Sequence, residues 1–299
     1  MKKLLSTGFL VAVATITISA QKTDSSLAML DTPMEQFAMP VPPPPPANGS
    51  YPSPYKLSWK ADLPIITAGI GLTALGVSLI DKKKDLTPAQ YAQKVPDNVW
   101  FFDRSNAGWF SKRADDLSYI PFQASFAMPV IMGLLDKKQR QNYGHVLVLY
   151  LETMSITGAM FTLAAGTVQR SRPFVYSRTN GLDDEYRTNG NNQRSFYAGH
   201  TAATAAATFY TAKVFADFHP DSKAKPYVWA AAAAVPALVG YWRYKAGMHF
   251  LSDNILGFAI GAGTGILVPH FHKHKIKNLS MVPQFGDGYR GVAFTSKVK

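Results

Sequence analysis

Six apolar runs interrupt an otherwise polar chain, at about residues 63–80, 119–135, 143–168, 201–218, 227–241 and 255–271. The first is close to the lower limit for crossing a bilayer, roughly 17 residues. Several runs carry a proline or a polar group (Pro129, Glu152, Pro236), as bundle-facing membrane helices do. The pattern predicts an all-α helical bundle with five or six membrane-spanning helices. A soluble all-helical core is the alternative, and 201–218, with Lys213 inside it, would suit that reading.

The intervening segments have their own character. Residues 1–20 read as a signal peptide: Lys2-Lys3, an apolar stretch from Leu4 to Ile18, then Ser19-Ala20 before Gln21. Ile18 fits the cleavage pattern imperfectly, which leaves an uncleaved anchor open. Residues 21–61 form a linker whose run Pro42–Pro46 should be an extended, stiff spacer. Residues 62–117 combine the first apolar run with a charged, aromatic region containing Trp100-Phe101-Phe102 and Trp109-Phe110. That region reads as amphipathic and interfacial, or as a surface helix with a buried aromatic face. Residues 118–272 are the helical domain proper, and 273–299 a basic tail.

Composition narrows the partners. The chain has 299 residues, a net charge of +12, and is 47% hydrophobic but only 17% charged. The basic residues are scattered between apolar runs and form no single stripe, so loops of a membrane protein suit them better than nucleic acid. With Cys 0, disulfides and thiolate metal sites are excluded. If the basic loops after the second, fourth and sixth runs are cytoplasmic, the chemistry lies on the opposite, periplasmic side. A cleaved signal followed by three full crossings would place it inside instead. The expectation here is therefore that 63–80 is re-entrant or peripheral.

Three clusters carry the candidate chemistry: Gln169-Arg170-Ser171-Arg172-Pro173, Ser195-Phe196-Tyr197-Ala198-Gly199-His200-Thr201, and Arg243-Tyr244-Lys245-Ala246-Gly247-Met248-His249-Phe250-Leu251-Ser252-Asp253. His249 and Asp253 are four apart, so on a helix the carboxylate could reach the imidazole, fix its tautomer and free the other nitrogen to attack an electrophile. Arg243 and Arg172 offer planar forks for phosphate. Gly199-His200 opens a strong helix former, whose free N–H groups would face an anion while His200 protonates a leaving oxygen.

Together the clusters resemble the type 2 phosphatidic acid phosphatase and vanadium haloperoxidase superfamily, with its Lys-x6-Arg-Pro, Pro-Ser-Gly-His and Ser-Arg-x5-His-x3-Asp motifs. The resemblance covers roughly residues 118–270. It implies that His249 is a nucleophile forming a phosphohistidine, Asp253 its orienter and His200 the general acid. Arg172 and Arg243 would clamp the phosphoryl oxygens and Gly199 would offer its backbone N–H. It implies no metal and no cofactor for the phosphatase branch. Four positions depart from the pattern: Ala165 for Lys, Tyr197-Ala198 for Pro-Ser, and Trp242 for Ser. Losing one such donor can cost about 100- to 1000-fold in rate. Arg170 or Lys245 could substitute for the missing lysine.

The resulting expectation is a phosphatase acting on a lipid-linked phosphate monoester or pyrophosphate, in the inner membrane of a bacterium, with no nucleic-acid partner. The alternatives are a soluble periplasmic acid phosphatase, a weakened phosphate-lipid binder, and a vanadate-dependent haloperoxidase. Elsewhere, Asp183-Asp184-Glu185 read as a solvated loop, and His145 and His219 as structural. The alternating histidines at 270, 272 and 274 read as a solvated basic tail, since no carboxylate is near them in sequence.

Overall fold

The computed structural model describes residues 49–273 and the backbone of 279–286 and 289–296; the expected signal, the proline run and His274 lie outside the described residues. Among the described residues nine α-helices follow in order: α1 (Trp59–Asp81), α2 (Pro88–Ala92), α3 (Lys112–Leu135), α4 (Lys137–Gln141), α5 (Tyr143–Thr167), α6 (Asp184–Thr188), α7 (Gly199–Phe218), α8 (Lys225–Lys245) and α9 (Leu251–Phe271). A C-terminal antiparallel hairpin, β1 (Leu279–Gly286) with β2 (Tyr289–Ser296), sets Met281 opposite Phe294. The segment expected only as a basic tail thus contains two strands.

Among the described residues, four helices are long and apolar enough to cross a membrane: α1, α3, α5 and α9. At 1.5 Å per residue these are about 30–38 Å long, which matches the hydrocarbon thickness. Their outward faces carry exposed Ile70, Leu75, Ile131, Leu135, Leu151, Ile255 and Leu267, an apolar surface that water would disfavour. The expected count of five or six is reduced because α7 and α8 are too polar. α7 is walled in by α3, α5, α8 and α9, and its Ala202, Ala205, Ala206 and Tyr210 are fully buried. A helix surrounded by protein needs no oily exterior, so alanine and threonine suffice there.

Small residues set how closely the helices approach. A Cβ on Gly257, Gly261 or Gly265 of α9 would lie 2.5, 2.0 or 2.5 Å from the carbonyl oxygens of Ala198, Ala202 and Ala206 on α7. These positions recur every fourth residue and line one face, so the two backbones touch along their length. α1 runs alongside α5 in the same direction, Gly69 against Ser155 and Gly76 against Thr162. It is one continuous helix of 23 residues. The re-entrant alternative for 63–80 is therefore corrected: the run is one unbroken helix, seated on α5 through Gly69 and Gly76.

The direction of each helix gathers the three clusters at one end. There the α3, α7 and α9 N-termini meet the α1, α5 and α8 C-termini: Lys83 Nζ donates to Val168 O at 2.7 Å, and Ala198 N to Asp253 O at 3.1 Å. At the far end Lys56 N donates to His272 O at 2.8 Å, and Asn142 Nδ2 to Tyr51 O at 2.7 Å. Residues 112–117 open α3, and 85–111 form no amphipathic helix. They make short turns around α2 and leave Trp100, Phe101 and Trp109 exposed, as an aromatic belt at a membrane interface would.

Candidate active site

Each cluster reaches the site through local backbone chemistry. Arg172-Pro173 starts a 3-10 turn, with proline supplying the φ that the turn needs. Arg170 and Arg194 face each other across a parallel bridge, Arg170 N donating to Gln193 O (3.1 Å) and Ser195 N to Arg170 O (2.8 Å). That bridge joins the first two clusters. Gly247, at φ +71, turns the chain between α8 and α9, and a Cβ there would meet Trp109 O at 1.8 Å. Only glycine fits that position. Asn106 holds the turn by donating Nδ2 to Tyr244 O and His249 O, both at 3.0 Å.

His249 is buried at 3% exposure, and its Nδ1 lies 2.7 Å from Ser195 O. A carbonyl only accepts, so Nδ1 carries the proton and Nε2 keeps its lone pair. The carboxylate of Asp253 does not make this contact, contrary to the expectation from the four-residue spacing. Its Oδ2 accepts from Ser195 Oγ (2.6 Å) and from Phe250 N (3.0 Å), and Oδ1 takes an ion pair from Arg170. The reason is position: Asp253 lies in the first turn of α9, where the helix's own unpaired N–H competes for it.

The four candidate phosphate cations separate into two kinds. Arg170 bridges Asp103 (2.6 Å) and Asp253, and its plane lies 4.7 Å from the Phe250 ring. Lys245 sits 4.7 Å over the Trp109 ring. Neither can stand in for the missing lysine, since one fork is committed to two carboxylates and the other ammonium to an indole face. Arg243, 2% exposed, is ion-paired with Asp115 and lies 5.9 Å from the Tyr119 ring; its Nε has no partner. Arg172 makes no ion pair among the described residues: Nη1 meets only Met248 Sδ (2.8 Å), a weak acceptor, and Nε is buried without a partner. Burial, followed by the charges of Arg243 and Arg194, pulls its pKa down to about 9.

His200 packs against the Phe122 and Tyr119 rings, centroids 4.3 and 5.2 Å away. Burial first, then Arg243, Arg172 and Arg194, holds its pKa below the ordinary imidazole range. His249 is pushed well below that range by burial, then by Arg243 and Arg172. Both imidazoles are therefore neutral beside a group of guanidiniums. At the start of α7, Ala198 gives no side-chain cap, which leaves the first-turn N–H groups of Gly199 and its neighbours for an anion. Gly199 is needed for a second reason: a Cβ would meet the Phe161 ring at 2.5 Å.

Four residues escape the motif reading. Asp103 accepts from Ser252 N (2.9 Å) and Arg170, so it caps α9. Asp115 holds Arg243, and Ser195 links Asp253 to His249. Arg194 lines a polar cavity of about 530 Å³ together with Arg172, Tyr186, Asn192 and two acidic residues, Asp183 and Glu185. Its Nε donates to Asn191 O (3.1 Å), and no carboxylate among the described residues pairs with it. At the substituted positions, Ala165 and Ala198 are fully buried, and Trp242 packs into a cluster with Phe174, Val175 and Met248.

The model of the PAP2 superfamily matches residues 146–277. No curated protein matches the chain. Among solved structures, a transmembrane PAP2 type phosphatidylglycerolphosphate phosphatase from Bacillus subtilis is similar at 18% identity, covering 72% of this chain and 96% of that one, with a TM-score of 0.42. The resemblance first drawn from three short motifs is thus shown over residues 146–277, a PAP2-like stretch within an all-helical bundle that has four membrane-spanning candidates.

Proposed function

We propose that this protein is a membrane phosphatase that removes a phosphoryl group from a lipid-linked phosphate monoester or pyrophosphate through a phosphohistidine on His249. The observation that carries the reading is Arg172: a half-buried fork that pairs with no carboxylate among the described residues and whose buried Nε has no partner, beside Arg243 and two neutral imidazoles. A dianionic phosphate would supply the missing counter-charge.

In the proposed first step the lone pair on His249 Nε2 forms the N–P bond as the ester P–O bond breaks. His200 delivers its proton to the departing oxygen. Its lowered pKa rises once the phosphate offsets the neighbouring guanidiniums, so that it takes up the proton it delivers. In the second step water attacks phosphorus, His200 takes up the water's proton, and the N–P bond breaks to restore His249. Arg172, Arg243 and the first N–H groups of α7 hold the equatorial oxygens. Ser195 O keeps the imidazole aligned, and Asp253 holds Ser195. Arg194 takes the electrostatic place of the family's lysine, supported by its position beside Arg172 and its lack of an acidic partner.

The lipid preference is supported by an apolar groove of about 530 Å³ along α7, α8 and α9, lined by Thr201, Pro236, Leu251, Ile255 and Phe258. Thr201 and Leu251, within two positions of His200 and His249, put one end of the groove at the site end of the bundle. The membrane is placed around α1, α3, α5 and α9, in the inner membrane of a bacterium. With α1 a full crossing, residue 58 and the site lie on opposite sides, so a cleaved N-terminal signal and a periplasmic site exclude each other. A periplasmic site is proposed on Lys137, Lys138, Arg140, Lys223 and Lys225 at the far end, while Lys82, Lys83, Lys84, Lys112 and Arg113 at the site end weigh against it.

The deciding experiment measures phosphate release from lipid monoesters and pyrophosphates by wild type and His249→Ala. Release that disappears in the variant supports the enzyme. Ala165 and Ala198 favour a second reading, a phosphate-lipid binder without turnover. In that case both proteins release nothing, while lipid phosphate still raises the thermal midpoint of the wild type.

A further inference from the structure

At the far end of the bundle, away from the phosphate site, three ligand-type side chains from three helical elements converge. Asp62 comes from the first turn of α1, Glu152 from the middle of α5, and His272 from the residue that ends α9. Their ligand atoms all lie within 4.8 Å of one another. His272 Nε2 is 3.2 Å from Asp62 Oδ1 and 3.5 Å from Glu152 Oε2. Asp62 and Glu152 are 2% and 3% exposed, and Glu152 Oε2 is buried with no hydrogen-bond partner. From residue 253 to 272, α9 separates this cluster from Asp253 by on the order of 28 Å.

The hydrogen bonds fix the protonation logic. His272 Nδ1 lies 2.8 Å from Val268 O, so Nδ1 must donate and Nε2 faces the two carboxylates. Asp62 Oδ2 accepts from Ser58 N (2.8 Å), and Lys56 N donates to His272 O (2.8 Å). If Nε2 also carries a proton, one imidazolium faces two carboxylates, and a negative charge stays buried with Glu152 Oε2 unsatisfied. No lysine or arginine among the described residues pairs with Asp62 or Glu152. The adjacent Lys273 is committed to Asp217, which also holds Lys213. A divalent cation on Nε2, Oδ1 and Oε2 removes both problems, since its charge of +2 equals that of the two carboxylates and each inward atom gains a partner.

We infer that Asp62, Glu152 and His272 form a site for a first-row divalent cation of the zinc type, with water completing the coordination. The donor chemistry is one imidazole and two carboxylates, with the imidazole oriented by a backbone carbonyl from outside the site. Tetrahedral sites with bonds near 2.0–2.1 Å space their donors at roughly 3.3 Å, close to the two separations found here. The ion would tie α1 to α5 and to the end of α9, fastening a first helix that otherwise packs mainly on α5. The expectation of no metal concerned catalysis, and this site takes no part in phosphoryl transfer. His272 looked like part of a solvated tail because its carboxylate partners are 210 and 120 positions away in sequence.

The test is equilibrium dialysis of the full chain, purified in detergent without a histidine tag, against Zn²⁺, with zinc counted by elemental analysis. One zinc per chain is expected for wild type, reduced at least tenfold in Glu152→Gln and His272→Ala, and retained in the double variant His270→Ala/His274→Ala. Chelation should lower the thermal midpoint of wild type and leave that of Glu152→Gln unchanged. Wild type that binds no zinc at tenfold excess overturns the proposal, whatever the variants do. So does zinc that is lost in the tail double variant and kept in Glu152→Gln.

Discussion

Asp253 reaches His249 only through Ser195, whose hydroxyl donates to the carboxylate at 2.6 Å while its carbonyl accepts from the imidazole at 2.7 Å. The aspartate thus positions His249, the proposed nucleophile, at one remove. Ser195→Ala keeps the carbonyl and loses the anchor, a hydrogen bond to a charged group worth about 1.5–3 kcal/mol. It should lower kcat about tenfold with little change in KM, and reduce the thermal midpoint. Asp253→Asn should do more, because Arg170 loses a carboxylate as well. Wild-type kcat in Ser195→Ala would show that the aspartate acts by another route.

The field of the guanidiniums makes a pH prediction. With its pKa held well below the ordinary value near 6.5, His249 stays neutral in mild acid while the unfolded chain takes up the proton. Its contribution to stability is therefore complete above about pH 6.5 and declines as pH falls below it. The thermal midpoint of His249→Gln should fall less than that of wild type between pH 7 and pH 5. In Arg172→Gln, which removes one depressing charge, the imidazole resonances of His249 and His200 should titrate at higher pH. No movement would mean that burial alone sets these values.

Arg194→Gln tests the replacement for the missing lysine. Removing one transition-state donor should cost about 100-fold in kcat/KM. Arg178→Gln is the control, since Arg178 Nη2 donates to Tyr91 O (2.6 Å) away from the phosphate site. Equal losses in both would reduce Arg194 to a general electrostatic influence.

Because the chain has no native cysteine, sidedness can be read with single introduced thiols. Asn191→Cys at the site end should react with an impermeant maleimide in intact cells. Asp221→Cys at the far end should react only after permeabilisation. The reverse pattern would put the site in the cytoplasm and restore an exported N-terminus.

Gly261→Val should separate α7 from α9, since even a Cβ would lie 2.0 Å from Ala202 O. Overpacking of this kind costs about 1–3 kcal/mol. The thermal midpoint and the activity should fall together, while Gly263→Val, with nothing within 4 Å, should leave both unchanged.

The helices were legible because their signals are local. The apolar run at 143–168 became Tyr143–Thr167, and 201–218 became Gly199–Phe218. The motifs also pointed to the right end of the bundle, since each cluster adjoins a helix terminus. Contacts across long sequence distances were not legible. Asp103 meets Ser252 over 149 positions and Asp115 meets Arg243 over 128, from a stretch whose charge and aromatics gave no period. The four-residue spacing of His249 and Asp253 misled because it assumes both lie within one helix. α9 begins between them, at Leu251, and the aspartate serves that helix start.

The close seam between α7 and α9 has a mechanical meaning. His200 opens α7, and His249 and Asp253 flank the start of α9, so the proposed proton donor and nucleophile sit at neighbouring ends of two rods pressed main chain to main chain. Contacts made by carbonyl oxygens and glycine Cα atoms have no rotamers to relax. The gap between the two histidines is therefore a machined dimension. Bilayer thickness or curvature can tilt the pair as a unit but cannot slide one rod past the other, and a substrate must fit that span as it stands.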